Sequence, residues 1–154
     1  VHDAVALPDA PTRERIEEAE QQMLALERHG FGVAIETWHH FADGLVARTI
    51  FIPAGTDLAG APHRAEHMNI CAGDITVWTE SGMQRLTGYH VLPSLPGAKR
   101  IGRTHAGTWW TTVHLNPTNE RDIAKLEDAL VVAADQLQGR RLALIDNKHT
   151  EALV

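Results

Sequence analysis

Pro62-His63-Arg64-Ala65-Glu66-His67-Met68-Asn69-Ile70-Cys71-Ala72-Gly73 sets two histidines and a carboxylate within five residues, heading a short apolar run that ends on a glycine. On an extended strand, residues four apart project from one face, so His63 and His67 share a side and Glu66 takes the other. A bulge between 63 and 66 reverses the choice and turns Glu66 inward in place of His67, because a one-residue slip exchanges the faces. Either register presents imidazole or carboxylate donors from the first strand of a hairpin, a donor set that suits a divalent cation. The competing reading is of ordinary polar residues at a strand entrance, bonded to neighbouring loops.

Outward from this stretch the chain is punctuated as an all-β domain. Strands are expected at 33–39, 45–52, 66–72, 74–80, 83–87, 89–94, 99–104 and 108–115. Turns at Phe41-Ala42-Asp43-Gly44, Pro53-Ala54-Gly55-Thr56, Gly60, Gly73, Ser81-Gly82, Gly88, Pro96-Gly97 and Ala106-Gly107 separate them. With no helix between strands, a closed or double-sheet β fold is expected rather than a parallel α/β sheet. Helical period flanks this region. Thr12 can cap a helix through Arg28 whose stripe is Ile16, Ala19, Met23 and Leu26, with Gly30 as its stop. That stripe docks on its own barrel or on a second subunit. After Asn116-Pro117 a second helix carries Ile123, Leu126, Leu130, Ala133 and Leu137 on one face, with Glu127 and Asp128 off it, and ends at Gly139. A last short strand is expected at 141–145. The expectation is one domain over 1–154: arm and helix 1–30, β-barrel 31–116, helix and tail 117–154.

Composition narrows the function. The chain has 154 residues, 44% hydrophobic and 22% charged, which is ordinary for a globular domain. A formal charge of −6 argues against a nucleic-acid binder, which needs a basic face. No apolar run reaches the roughly 18 residues of a membrane span. A lone cysteine, Cys71, excludes an intrachain disulfide framework and points to a reducing, cytoplasmic compartment. Ten histidines are an enrichment in the commonest metal ligand. The only serines are Ser81 and Ser94, both in expected turns, and no nucleophile elbow, phosphate loop or dinucleotide fingerprint is present. Trp78, Trp109 and Trp110 are expected to fill the core or line a pocket.

The run Ile52-Pro53-Ala54-Gly55-Thr56, followed by His63 to His67 and by Gly73-Asp74-Ile75-Thr76-Val77-Trp78, resembles the first signature motif of the cupins. In that motif a glycine precedes His-x-His, then a glutamate, six residues and a glycine; Glu66 and Gly73 fit its second half. Leu95-Pro96-Gly97-Ala98-Lys99-Arg100 is similar to the second motif. The resemblance spans about 33–118. It implies a mainly β, cupin-type double-stranded β-helix (jelly roll) with a helix at each end, and a homodimer. The departures are specific: His63 alone stands where the first motif has two histidines, and Arg100 stands where the second has its histidine. Either His63, Glu66 and His67 join His105 or His114 around a divalent metal ion (Fe, Mn, Ni or Zn), or the metal is lost and Arg100 holds an anionic ligand, with His114 and Trp110 beside it. The first case implies a small-molecule enzyme of the oxygenase, lyase or isomerase kind. The second implies a non-catalytic ligand-binding or structural protein.

Overall fold

The structure, a computed structural model, describes residues 7–132 and 149–150. Helix α1 (Arg13–Leu26) opens on Thr12, whose side-chain oxygen accepts the Arg15 N–H at 3.3 Å. It widens into a π-helical turn, Glu27–Phe31, and stops where Gly30 takes φ 88°. Ile16 and Ala19 are buried with Trp78 and Ile101. Lys99, itself buried, pairs with Glu20 of the helix at 2.6 Å. The apolar stripe of α1 is therefore used within the chain, on its own sheet.

Strands β1 (Glu36–Ala42), β2 (Leu45–Ile52), β3 (Asp57–Gly60), β4 (His67–Thr79), β5 (Gly82–Ser94) and β6 (Arg100–Leu115) follow, then helix α2 (Ile123–Leu130) and β7 (His149–Thr150). The sheet runs β5-β4-β6-β2-β1-β7, with β3 paired to β6. All pairings are antiparallel except that of β1 with β7. Among the described residues this path ends at β5 and β7 and does not close. The jelly-roll expectation thus holds as a mainly β, antiparallel sheet flanked by two helices.

Three pairs of expected short strands are single long ones. Gly73, Gly88 and Ala106-Gly107 mark bends, not turns. Gly73 pairs with Gly88, and the β4–β6 register shifts between Ala72 and Ile75. There Gly73 has φ 154°, and a Cβ would stand 2.7 Å from Thr108 Cα, so only glycine fits. The Thr108 hydroxyl closes the irregularity, accepting Asp74 N–H at 3.1 Å and donating to Ala106 O at 2.9 Å. Such a bulge bends a long strand. Before it β6 pairs with β3, and after it with β2. The unexpected β3 is held by a two-pronged contact from Arg103 to Asp57 at 2.7 and 3.1 Å.

The core between the faces is Ile35, Ile52, Cys71, Ile75, Val77 and Leu86, with Ile50, Leu58, Leu92 and Trp110 packed on it. Burial lifts the Cys71 thiol to about 11, so it stays protonated as a small core residue. Adjacent tryptophans part company: Trp110 turns inward, whereas Trp109 lies half-exposed on the outer face against Trp38 and Phe51.

Helix α2, capped by the Asp122 side chain accepting Lys125 N–H at 3.1 Å, ends at Leu130, because Val131 is extended. Ala133, Leu137, Gly139 and the strand expected at 141–145 lie outside the described residues. Glu127 is buried beside Ile123 and Leu126 and not off that face as its charge implied. The end of α2 ties to the segment before β4: Arg64 N–H donates to Leu130 O at 2.8 Å, Val132 N–H to Pro62 O at 2.9 Å, and His63 bridges Val131. Among the described residues no helix is long and apolar enough to cross a membrane.

Candidate metal centre

The inner face of the sheet is built in rungs. Arg48 of β2, Thr112 of β6 and Asn69 of β4 lie across from one another on one rung. One step further along, Val46 faces His114 and His67 faces Ser94. His67 therefore enters from the first residue of β4 and His114 from near the end of β6. His63 reaches the same spot from the segment before β4, pinned by its bridge to Val131. The ring centroids are 4.1 Å apart for His63 and His67, and 4.7 Å for each with His114. One ligand nitrogen from each ring falls within 4.8 Å of the others.

The nitrogens are prepared as donors. The Nδ1–H of His67 donates to Ala65 O at 3.0 Å, which leaves the Nε2 lone pair available. That Nε2 is buried and has no hydrogen-bond partner among the described residues. His63 Nδ1 and His114 Nε2 stand 2.6 Å apart, close enough that they share a proton or turn their lone pairs on one cation. Burial, with the neighbouring rings and the guanidiniums of Arg48 and Arg100, lowers His63 to about 2. Burial and His67 lower His114 to about 4, and burial also lowers His67. All three rings are neutral near pH 7, the form that binds a metal. A buried lone pair with no partner, in a set of three imidazoles, fits a divalent ion.

The centre adjoins a cavity of about 160 Å³ lined by His63, Arg48, Arg100, Trp110 and Thr112, with Ile, Leu and Val side chains completing its wall. Arg100 donates to the Ser94 hydroxyl and lies 5.9 Å from the Trp110 ring centre. Asn69 Oδ1 accepts both the Trp110 indole N–H at 3.1 Å and the Thr112 hydroxyl at 3.2 Å, which fixes the orientation of both.

Of the residues singled out in the sequence, His63, His67 and His114 come together. Arg100 and Trp110 line the adjoining cavity. Glu66 does not join them: it lies in the irregular segment before β4 and is exposed, whereas His67, the first residue of the strand, is 6% exposed. His105 does not join either. It is exposed, bonded to the Thr76 hydroxyl at 2.7 Å, and lies nine residues before His114. At about 3.3 Å per residue that is about 30 Å of strand. Arg48 and Glu127 went unnoticed, although each left a signal. Arg48 alternates onto the face of Val46, Ile50 and Ile52, and Glu127 follows Ile123 by one helical turn, on the side that Leu126 buries.

No protein-family model matches the chain, and no curated protein matches its sequence. Solved structures do match. The likeness is to cupin domains. The cupin domain of Schizosaccharomyces pombe Cnp3 matches at 18% identity and TM-score 0.46, over 55% of this chain and 62% of that one. A cupin-2 domain containing protein from Shewanella frigidimarina matches at 5% identity and TM-score 0.45, over 60% of this chain and 92% of that one. Salicylate 1,2-dioxygenase from Pseudaminobacter salicylatoxidans matches at 14% identity and TM-score 0.49; 77% of this chain covers 36% of the dioxygenase. The chain thus spans just under two thirds of the Cnp3 domain and about a third of the dioxygenase.

Proposed function

We propose that His63, His67 and His114 hold one divalent metal ion, Fe, Mn, Ni or Zn, and that the adjoining cavity takes a small molecule for a reaction of the oxygenase, lyase or isomerase kind. The observation that carries this reading is the buried Nε2 of His67, without a hydrogen-bond partner among the described residues and aimed by the bond from its other nitrogen to Ala65 O. A lone pair kept from water at that cost needs an occupant. When bound, the metal supplies Lewis-acid polarisation or a site for oxygen. The chain's own groups do the rest. Arg100 and Trp110 orient the ligand, the Asn69 amide holds Trp110 and Thr112 in place, and the bridge to Val131 after α2 fixes the backbone of His63. The test is elemental analysis of protein purified without added metal, then of His63→Ala and His67→Ala. Near-stoichiometric metal in the parent and its loss in both variants are expected. No metal in the parent, with no thermal shift on adding Fe(II), Mn(II), Ni(II) or Zn(II), overturns the reading.

A second reading has one observation of its own. Arg100 stands over Trp110 at the cavity wall, a placement that suits an anionic ligand without any turnover. It predicts that Arg100→Ala weakens ligand binding while the histidine variants are silent.

A further inference from the structure

We propose that Arg48 and Arg100 act together as an anion clamp, and that the cavity selects a small carboxylic acid whose body is apolar. This rests on the cavity being a small-molecule site, and it names the class of ligand. Arg48 projects into the cavity from a strand face whose other members, Val46, Ile50 and Ile52, are apolar. Its one ion-pair partner among the described residues is Glu127 at 4.0 Å, too far for a hydrogen bond, and its Nε is buried without a hydrogen-bond partner there. Arg100 enters from the start of β6, gives one N–H to Ser94, and forms no ion pair among the described residues.

Two guanidiniums thus line one largely apolar cavity, Arg48 with its carboxylate partner 4.0 Å away and Arg100 with no ion pair among the described residues, and charge so weakly compensated costs stability unless an anion arrives. Burial draws the pKa of both arginines down, and both charges bear on His63, so the two cations act on one small volume. A guanidinium fork matches the two oxygens of a carboxylate. The rest of the wall offers few polar groups to a sugar or polyol: Ile50, Leu58, Ile75 and Val77 are apolar, and Trp110 presents a ring. At about 160 Å³ the space resembles engineered apolar cavities of about 150 Å³ that admit benzene, so the acid carries a body of one ring or a short branched chain.

The experiment compares benzoate with benzamide, and isobutyrate with isobutyramide, by titration calorimetry on the full chain with and without Zn(II). Each acid is expected to bind at least tenfold more tightly than its amide. Arg48→Gln and Arg100→Gln are each expected to remove most of that preference, weakening the acid far more than the amide. Because Arg48→Gln removes a charge partner of the buried Glu127, the double change Arg48→Gln/Glu127→Gln is measured beside it, and loss of acid preference is expected there too. Equal affinity for acid and amide, no binding of either acid, or a preference that survives both arginine changes overturns the clamp. Normal zinc uptake alongside such a result leaves the metal reading standing. Acid preference in a chain that takes up no metal removes the metal reading and keeps the clamp.

Discussion

Two places along the β4–β6 strand pair, its His67–His114 end and the irregularity at its middle, each present a histidine of β6 to a partner on β4, and they differ in nearly everything else. At one end His114 meets His67 and His63 in a buried rung. At the middle irregularity His105 meets the Thr76 hydroxyl in the open, near an Asp74 carboxylate that Arg85 holds with bonds of 2.9 and 2.8 Å. The Arg85 contacts hold Asp74 below the usual carboxylate range, so that place is a solvated ion pair with a neighbouring imidazole. Residue type is the same at both places. Convergence of lone pairs away from water, with one left unmatched, separates a candidate metal centre from a polar surface.

The comparison breaks most readily on metal affinity. His67→Ala or His114→Ala is expected to weaken zinc binding by more than about 100-fold in a competition titration, because each removes a direct ligand. His105→Ala in the same titration is expected to stay within twofold; a comparable loss there would erase the distinction between the two places.

The bend at the middle irregularity gives the next effect. Gly73→Ala is expected to cost on the order of 3 kcal/mol in chemical denaturation, since a Cβ meets Thr108 and φ is unsuited to alanine. A change under about 1 kcal/mol would mean that the bulge is not rigid. Ile16→Ala, under the fully buried contact of α1, is expected to cost about 3 kcal/mol with metal affinity unchanged, which tests whether the helix is scaffold rather than site.

A smaller, graded effect comes from pH. In metal-free protein the buried rings resist protonation, while in the unfolded chain they titrate near 6.5. Between those values the unfolded state binds more protons. Stability therefore falls as pH drops from about 6.5 towards 4, and further towards 2 for His63. His114→Gln is expected to flatten this slope in denaturation measured at pH 7 and pH 5. An unchanged slope would place the acid sensitivity elsewhere.

Much of this was legible in letters. Period-two alternation and glycine punctuation foretold a mainly β domain between two helices; the expected shared strand face of His63 and His67 is not how they meet, since His63 lies in the irregular segment before β4 and reaches the site through its bridge to Val131. Whether Glu66 or His67 points inward was not legible, because a bulge leaves no unambiguous mark. The bulge lies instead at Gly73 and Thr108, where the letters read as turns and strands appeared to end. His114 was visible as one of two choices with His105, and only the pairing of β6 with β4 decides between them. Arg48 and Glu127 were in plain view on apolar faces. Their charge hid them, since a charged residue is by default assigned to solvent.

The most direct test of the central claim is anomalous diffraction from crystals grown with Zn(II). A single strong peak is expected within about 2.0–2.2 Å of one ring nitrogen each of His63, His67 and His114. A peak at Glu66 or His105 with none at the three histidines, or no peak at all, would contradict it.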